Sequence, residues 1–206
     1  MNDRSVSDFL ASVASTAPTP GGGSVCALAG ALSVALSRMV AGLAVGKKGY
    51  EQVEVDLRQL EKKALELQSR LEGLIEEDSQ AYEAVLAAMR MPRATATEKA
   101  DRVDAMQGAY KRAAEVPLET IERCVEALEI AEEAALIGNR GASTDAGVAI
   151  LLAKAAVGGA SLNVRVNLAS IRDESFRSEA DAKLGNLIRR AEEIGQRAMA
   201  LVESRL

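Results

Sequence analysis

From Val53 to Ile75 apolar residues return three and four positions apart, at Val53, Leu57, Leu60, Ala64, Leu67, Leu71, Leu74 and Ile75, with charged residues between them. This is the period of one face of an α-helix, and it predicts a long amphipathic helix from about Glu51 to Met89. Val6, Phe9, Leu10 and Val13 mark a short helix over Val6–Val13, closed by a Pro/Gly segment. Two segments break the alternation. One runs from about Ser24 to Val45 and the other starts near Thr144; both are rich in Ala, Gly, Val and Leu. A helix that is apolar all round must be surrounded. The pattern therefore predicts two small-residue helices at the centre of a bundle, amphipathic helices around them, and further burial supplied by a second subunit.

The punctuation fits the same plan. "GKKGY" ends the first apolar segment and Pro92 ends the long amphipathic one. "TATEKADR" restarts a helix, with Thr95 or Thr97 as cap. Pro117 in "AEVPLET" is expected to kink that helix or break it in two, because proline removes one N–H and clashes with the preceding turn. The helix resumes to Ile137 and the "GNRGAS" turn. Gly158 and Gly159 are candidates for a bend in the next helix, and a last helix starts at Asp173 or Glu174. No internal repeat, low-complexity stretch or linker is visible. The expectation is a single all-α domain over residues 1–206, a multi-helix bundle.

Composition narrows the chemistry. The 206 residues contain no histidine, carry a formal net charge of -5 and are only 2% aromatic. That removes Ser-His-Asp triads, His-assisted cysteines and His metal sites. It also argues against nucleic acid, which calls for a basic face and often stacking aromatics. Acid–base work is left to Asp, Glu, Lys, Tyr or Cys. Cys26 and Cys124 sit in apolar helical context and read as small buried thiols. The start, "MNDRSVSDFLASVAST", lacks the pattern of a signal peptide, and residues 24–37 are short for a bilayer span. The expectation is a cytoplasmic protein with no membrane partner.

Four places carry candidate chemistry. "PTPGGGSV" sets Gly21, Gly22, Gly23 and Ser24 at a helix N-terminus, whose N–H groups suit a carboxylate or phosphate. A tight turn that lets two helices pack is the alternative, and the spacing is not that of a P-loop. "GNRGASTDAG" puts Asp145 in the first turn of the second apolar helix, where it matches the helix dipole or lines a cleft. "EEDSQAY" puts Asp78 and Tyr82 four apart on one helix face. "SLNVRVNL" puts two amides, Asn163 and Asn167, on one face of an apolar helix, where they need partners. Lys47 and Lys48 follow the first apolar helix. Asp145 and Asn163 lie 18 positions apart, roughly 27 Å on a continuous helix. They cannot meet one reacting atom within one subunit; an extended ligand or a second subunit would have to join them.

The blocks "PTPGGGSVCALAGALSVALSRMVAGLAVGKKGYE", "EDSQAYEAV", "EKADRVDAMQGAYKRAAEVPL", "LIGNRGASTDAGVA" and "GASLNVRVNLASIRD" occur in order over nearly the whole chain. Together they resemble the formiminotransferase-cyclodeaminase, or cyclodeaminase/cyclohydrolase, family. Gly49 and Cys26 depart from residues more usual there, and Gly49 is expected to loosen the loop around Lys47 and Lys48. The resemblance implies an all-helical homodimer acting on one-carbon tetrahydrofolates, with no metal and no prosthetic group. The first expected reaction converts 5-formiminotetrahydrofolate to 5,10-methenyltetrahydrofolate with loss of ammonia. The second is hydrolysis of the methenyl bridge to 10-formyltetrahydrofolate, and a folate-binding protein without catalysis is a third possibility. Under the resemblance, Asp145 is the first choice for the acid–base carboxylate and Lys47 the second. Gly21, Gly22, Gly23 and Ser24 would bind substrate through backbone groups. Lys48, Asp78, Tyr82, Asn163 and Asn167 would line the rest of the site.

Overall fold

The computed structural model describes residues 5–206, and among them there is no strand. A short helix, α1 (Val6–Val13), precedes five long ones: α2 (Gly22–Gly42), α3 (Glu54–Arg90), α4 (Ala96–Ile137), α5 (Ser143–Leu168) and α6 (Glu174–Glu203). The apolar face expected of α3 is the buried one: Leu57, Leu60, Ala64, Leu67, Leu71, Leu74 and Ile75 are all buried. The first α4 cap is Thr95, in a reciprocal capping box with Glu98, and Asp173 caps α6. Only α1 departs from its expected stripe. Phe9 packs against the core, while Val6 and Leu10 remain exposed.

The long helices run alternately up and down. Ser24 bonds Asp78, and Gly42 approaches Glu61, so α2 and α3 are antiparallel. On the other side, Gly159 approaches Cys26 and Gly22 approaches Asn163, making α5 antiparallel to α2. The acidic residues Glu122, Glu129 and Glu132 of α4 pair in rising order with Lys183, Arg190 and Arg197 of α6, which sets those two helices parallel. The row is α3–α2–α5–α6, with α4 packed behind and touching all four. The two small-residue helices are thus adjacent at the middle of the row, as expected. They are covered on three sides; the front is open.

Pro117 does not break α4, which is continuous over 42 residues. A proline has no N–H to give to the carbonyl four residues earlier, here Ala113. That carbonyl instead accepts a hydrogen bond from Asn167 Nδ2 of α5, at 2.8 Å. The helix stays continuous, and a neighbour supplies the donor that the proline lacks. Helix α5 likewise runs through Gly158 and Gly159 without interruption. Helix α2 ends at Gly42, three residues before the expected Val45, and a turn-rich loop leads to Tyr50. Gly49 in that loop has φ +93°, a conformation that side-chain-bearing residues rarely adopt, so its glycine fits the turn rather than loosening it.

Candidate functional site

The expected site residues fall into two groups, at opposite ends of α2. A helix of 21 residues is about 30 Å long, which is the scale of their separation.

At the first end lies the Gly-rich N-terminus of α2. Gly21 is its N-cap and has no side chain to offer, so the first turn needs an outside acceptor. Asp78 of α3 provides it. Its carboxylate accepts the backbone N–H of Ser24, and Ser24 Oγ donates to Asp78 Oδ2 at 2.8 Å. Ser24 Oγ also lies 3.1 Å from the Ile75 carbonyl and 3.2 Å from Ser79 Oγ. Gly23 makes the approach possible: a Cβ there would sit 2.0 Å from Asp78 Oδ1. The glycine run therefore takes a carboxylate, as its chemistry predicts, but the carboxylate belongs to the protein. The N–H groups of Gly22 and Gly23 donate to no other group among the described residues.

Burial raises the Asp78 carboxyl above its ordinary value, and its two bonds from Ser24 offset only part of that. No lysine or arginine pairs with it among the described residues. The nearby Cys26 thiol is pushed up to about 11, first by burial and then by the Asp78 charge. Cys124 is pushed up to about 12, chiefly by burial. Both thiols stay protonated near neutrality, so neither is a nucleophile there. Tyr82, one turn further along α3, is exposed beside this end.

The amides of α5 close the third side. Asn163 lies next to Gly22, with its Nδ2 3.7 Å from the position of a Gly22 Cβ, and it donates to the Gly159 carbonyl. Asn167 donates to Ala113 and Asn163 carbonyls. Its amide is thus committed to holding α4 and α5 together, a role the sequence hid because it depends on Pro117, fifty positions away.

The second end gathers Lys47, Lys48 and Asp145. Both lysines are exposed on the loop after α2 and form no ion pair among the described residues. Asp145 is half-buried in the first turn of α5. The "GNRG" turn is pinned to that loop: Asn139 Nδ2 donates to the Leu43 carbonyl at 2.8 Å, and the Arg140 N–H donates to Tyr50 Oη at 3.1 Å. Sequence reasoning missed this clamp, although Asn139 between two turn residues was its signal. Open grooves also lie elsewhere, among them these two. One, about 560 Å³, is lined by Arg165, Leu168, Glu174 and Arg177; the other, about 450 Å³, by Arg70, Arg123 and Glu126. In the second, Arg70 is paired with Glu119, outside the lining, and Arg123 Nη1 with Glu126. Asp78 differs in being a desolvated carboxylate without a cation.

Residues 5–202 match the family described as Formiminotransferase-cyclodeaminase. The chain belongs to that family. The match with its profile spans the glycine run, Asp78, the Asn139 clamp and both amides. A methenyltetrahydrofolate cyclohydrolase of Methylorubrum extorquens is 40% identical over 204 residues, covering 99% of this chain and 98% of that protein. A formimidoyltransferase-cyclodeaminase of Gallus gallus is 32% identical, over 96% of this chain but only 36% of its own length. The chain thus spans about a third of that longer relative. The crystal structure of a formiminotetrahydrofolate cyclodeaminase from Thermotoga maritima superposes with a TM-score of 0.89, at 32% identity over 98% of each chain. Members of this cyclodeaminase/cyclohydrolase family are enzymes of folate one-carbon chemistry, and so is this chain.

Proposed function

We propose that the protein works on the one-carbon unit bridging N5 and N10 of tetrahydrofolate, with Asp78 as the proton-transfer carboxylate. In the cyclodeaminase direction N10 attacks the formimino carbon and loses its proton. The amino nitrogen gains protons and leaves as ammonia, and the N5 lone pair closes the methenyl cation. One carboxyl that gives a proton to the leaving nitrogen and then carries negative charge beside the cation serves both needs. The observation that carries this role is the desolvated carboxyl of Asp78, fixed by Ser24 against the Gly23 backbone. Such a group holds its proton closer to neutral pH than an exposed aspartate does.

The second reading is hydrolysis of the methenyl bridge. Water adds to the same carbon, loses a proton, and the N5–C bond breaks as N5 is protonated. It is favoured by the 40% identity to a cyclohydrolase whose whole length the chain matches. Asn163 supports the polar wall beside Gly22 in either direction, and Lys47 and Lys48 offer charge for the glutamate carboxylates of the folate. We place the enzyme in the cytoplasm, as a homodimer. Purified protein given each substrate in turn, with the methenyl chromophore followed as it appears or disappears, tests the proposal. Turnover of either substrate supports it. Reduced-folate binding without turnover would instead favour a non-catalytic folate binder, and neither binding nor turnover would refute both.

A further inference from the structure

Two serines beside Asp78 are shut off from solvent, Ser24 at 0% exposure and Ser79 at 2%. Three oxygens surround Ser24 Oγ: Asp78 Oδ2 at 2.8 Å, the Ile75 carbonyl at 3.1 Å and Ser79 Oγ at 3.2 Å. A hydroxyl has one hydrogen to give and two lone pairs to receive. The Ile75 carbonyl and an ionised carboxylate can only accept. Ser24 therefore serves one of them at a time. Ser79 Oγ bonds to Ser24 Oγ and to no other group among the described residues, so its hydrogen has one destination.

The proton on Asp78 decides between the two acceptors. With the carboxyl ionised, the bond from Ser24 is charge-assisted and outcompetes the neutral carbonyl. Ser79 then donates to Ser24 and Ser24 donates to Asp78, a chain in which each bond polarises the next. With the carboxyl protonated, that advantage is gone. The Ser24 hydrogen turns to Ile75, and Ser24 Oγ still accepts from Ser79. Each buried hydrogen has an acceptor in both states, and the change needs only rotation of a hydroxyl.

No charged neighbour competes for this role. Glu77, next to Asp78 on α3, pairs with Arg70 and with Arg112 of α4. Glu83, further along α3, accepts from Thr19 of the loop before α2. Tyr82 of α3 is exposed. On α2 the Cys26 thiol is held protonated by burial and by the Asp78 charge. From α5 the neutral amide of Asn163 approaches beside Gly22.

We propose that Ser24 and Ser79 are positioning residues that switch with the proton of Asp78: the Ser24 hydroxyl hydrogen points to Asp78 when the carboxyl is ionised and to the Ile75 carbonyl when it is protonated, with Ser79 donating to Ser24 behind it. This rests on the reading of Asp78 as the proton-transfer group and deepens it. The carboxyl keeps one position while its charge changes, and the dipoles that answer the change are already in place, without solvent reorganisation.

Titration of the folate-free protein tests the switch without turnover. Aspartate is labelled with 13C at the carboxyl, and the Asp78 resonance is the one missing from Asp78→Asn. A hydrogen bond to the charged form holds a carboxyl's titration down, so losing it must move the midpoint up. Ser24→Ala removes the direct donor and should raise the midpoint by about one pH unit or more. Ser79→Ala leaves both contacts of Ser24 with Asp78 in place and should raise it by roughly a few tenths of a unit. Alanine is the better helix former, so this variant keeps the test available if Ser24→Ala does not fold. Ser79→Thr, which keeps the hydroxyl, should titrate as the wild type does. The inflection in kcat/KM that belongs to Asp78 should move upward with the midpoint in both alanine variants. A Ser79→Ala midpoint equal to that of the wild type would overturn the relay, and a Ser24→Ala midpoint at or below it would overturn the switch. If the midpoints move as expected but no folate turns over, the folate reading fails and the switch stands. If folate turns over and the midpoints stay put, the switch fails and the folate reading stands.

Discussion

The two ends of α2 handle charge in opposite ways. At the start, one carboxylate is drawn out of water, fixed by a serine and a glycine backbone, and left without a cation. At the end, two lysines stand in solvent on a loop, free to move toward an anion. A desolvated group is tuned for proton transfer, because burial moves its proton affinity toward the working pH. Solvated cations attract a ligand but are screened by salt and add little to stability. The proposed function accordingly puts chemistry at the first end and binding at the second.

The largest effect is expected at Asp78. Asp78→Asn keeps an acceptor for the Ser24 bonds but removes the acid, and turnover should fall by roughly two to four powers of ten. Stability should not fall with it. The carboxyl holds its proton to higher pH in the folded chain than in the unfolded one, so the wild type loses stability as pH rises from the ordinary carboxylate range through that raised value. The asparagine variant should lack that loss and melt no lower at pH 7. A matched drop in melting temperature and activity would mean that Asp78 is a structural cap.

Asp145→Asn sharpens the contrast. If proton transfer belongs to Asp78, this variant stays within a few-fold of wild-type turnover and loses at most about 1 kcal/mol of helix-dipole stabilisation. A loss of two powers of ten would move the chemistry to the other end. Gly23→Ala tests the packing beneath Asp78. Alanine favours a helix over glycine by about 1 kcal/mol, yet its Cβ must displace the carboxylate. A shift of about 1 Å commonly costs on the order of a hundredfold in rate, and calorimetry should show destabilisation in place of the helix-propensity gain.

Asn167→Leu should act on stability first. It leaves the buried-side carbonyl of Ala113 without a donor at the point where Pro117 supplies none, at a cost of about 1–3 kcal/mol. Chemical denaturation measures it, and an unchanged midpoint would show that α4 tolerates Pro117 unaided. Lys47→Ala/Lys48→Ala should act on binding alone: a KM raised roughly tenfold with kcat preserved, and a KM that no longer rises with salt. A lowered kcat there would give the lysines a part in the reaction.

The helices were readable in the chain because each depends on local order. The three-and-four spacing of α3 buries the residues it named, and Thr95, Glu98 and Asp173 cap where short-range chemistry puts them. The glycine run before α2 announced an anion site. Which anion fills it was not readable, since Asp78 stands more than fifty positions away and reaches Ser24 only when α3 packs on α2. Pro117 shows the same limit: its local rule predicts a kinked or broken helix, and the donor that reaches the carbonyl it leaves unpaired is Asn167 of another helix. The apolar character of α2 and α5 was fixed by their residues, along with the need to cover them. That they lie side by side with one face open, and that the candidate residues for chemistry and for binding stand at opposite ends of it, depends on contacts between segments far apart in the chain. Periodicity and capping act within a few residues, whereas burial, and with it the protonation of Asp78, is set by whatever packs from elsewhere.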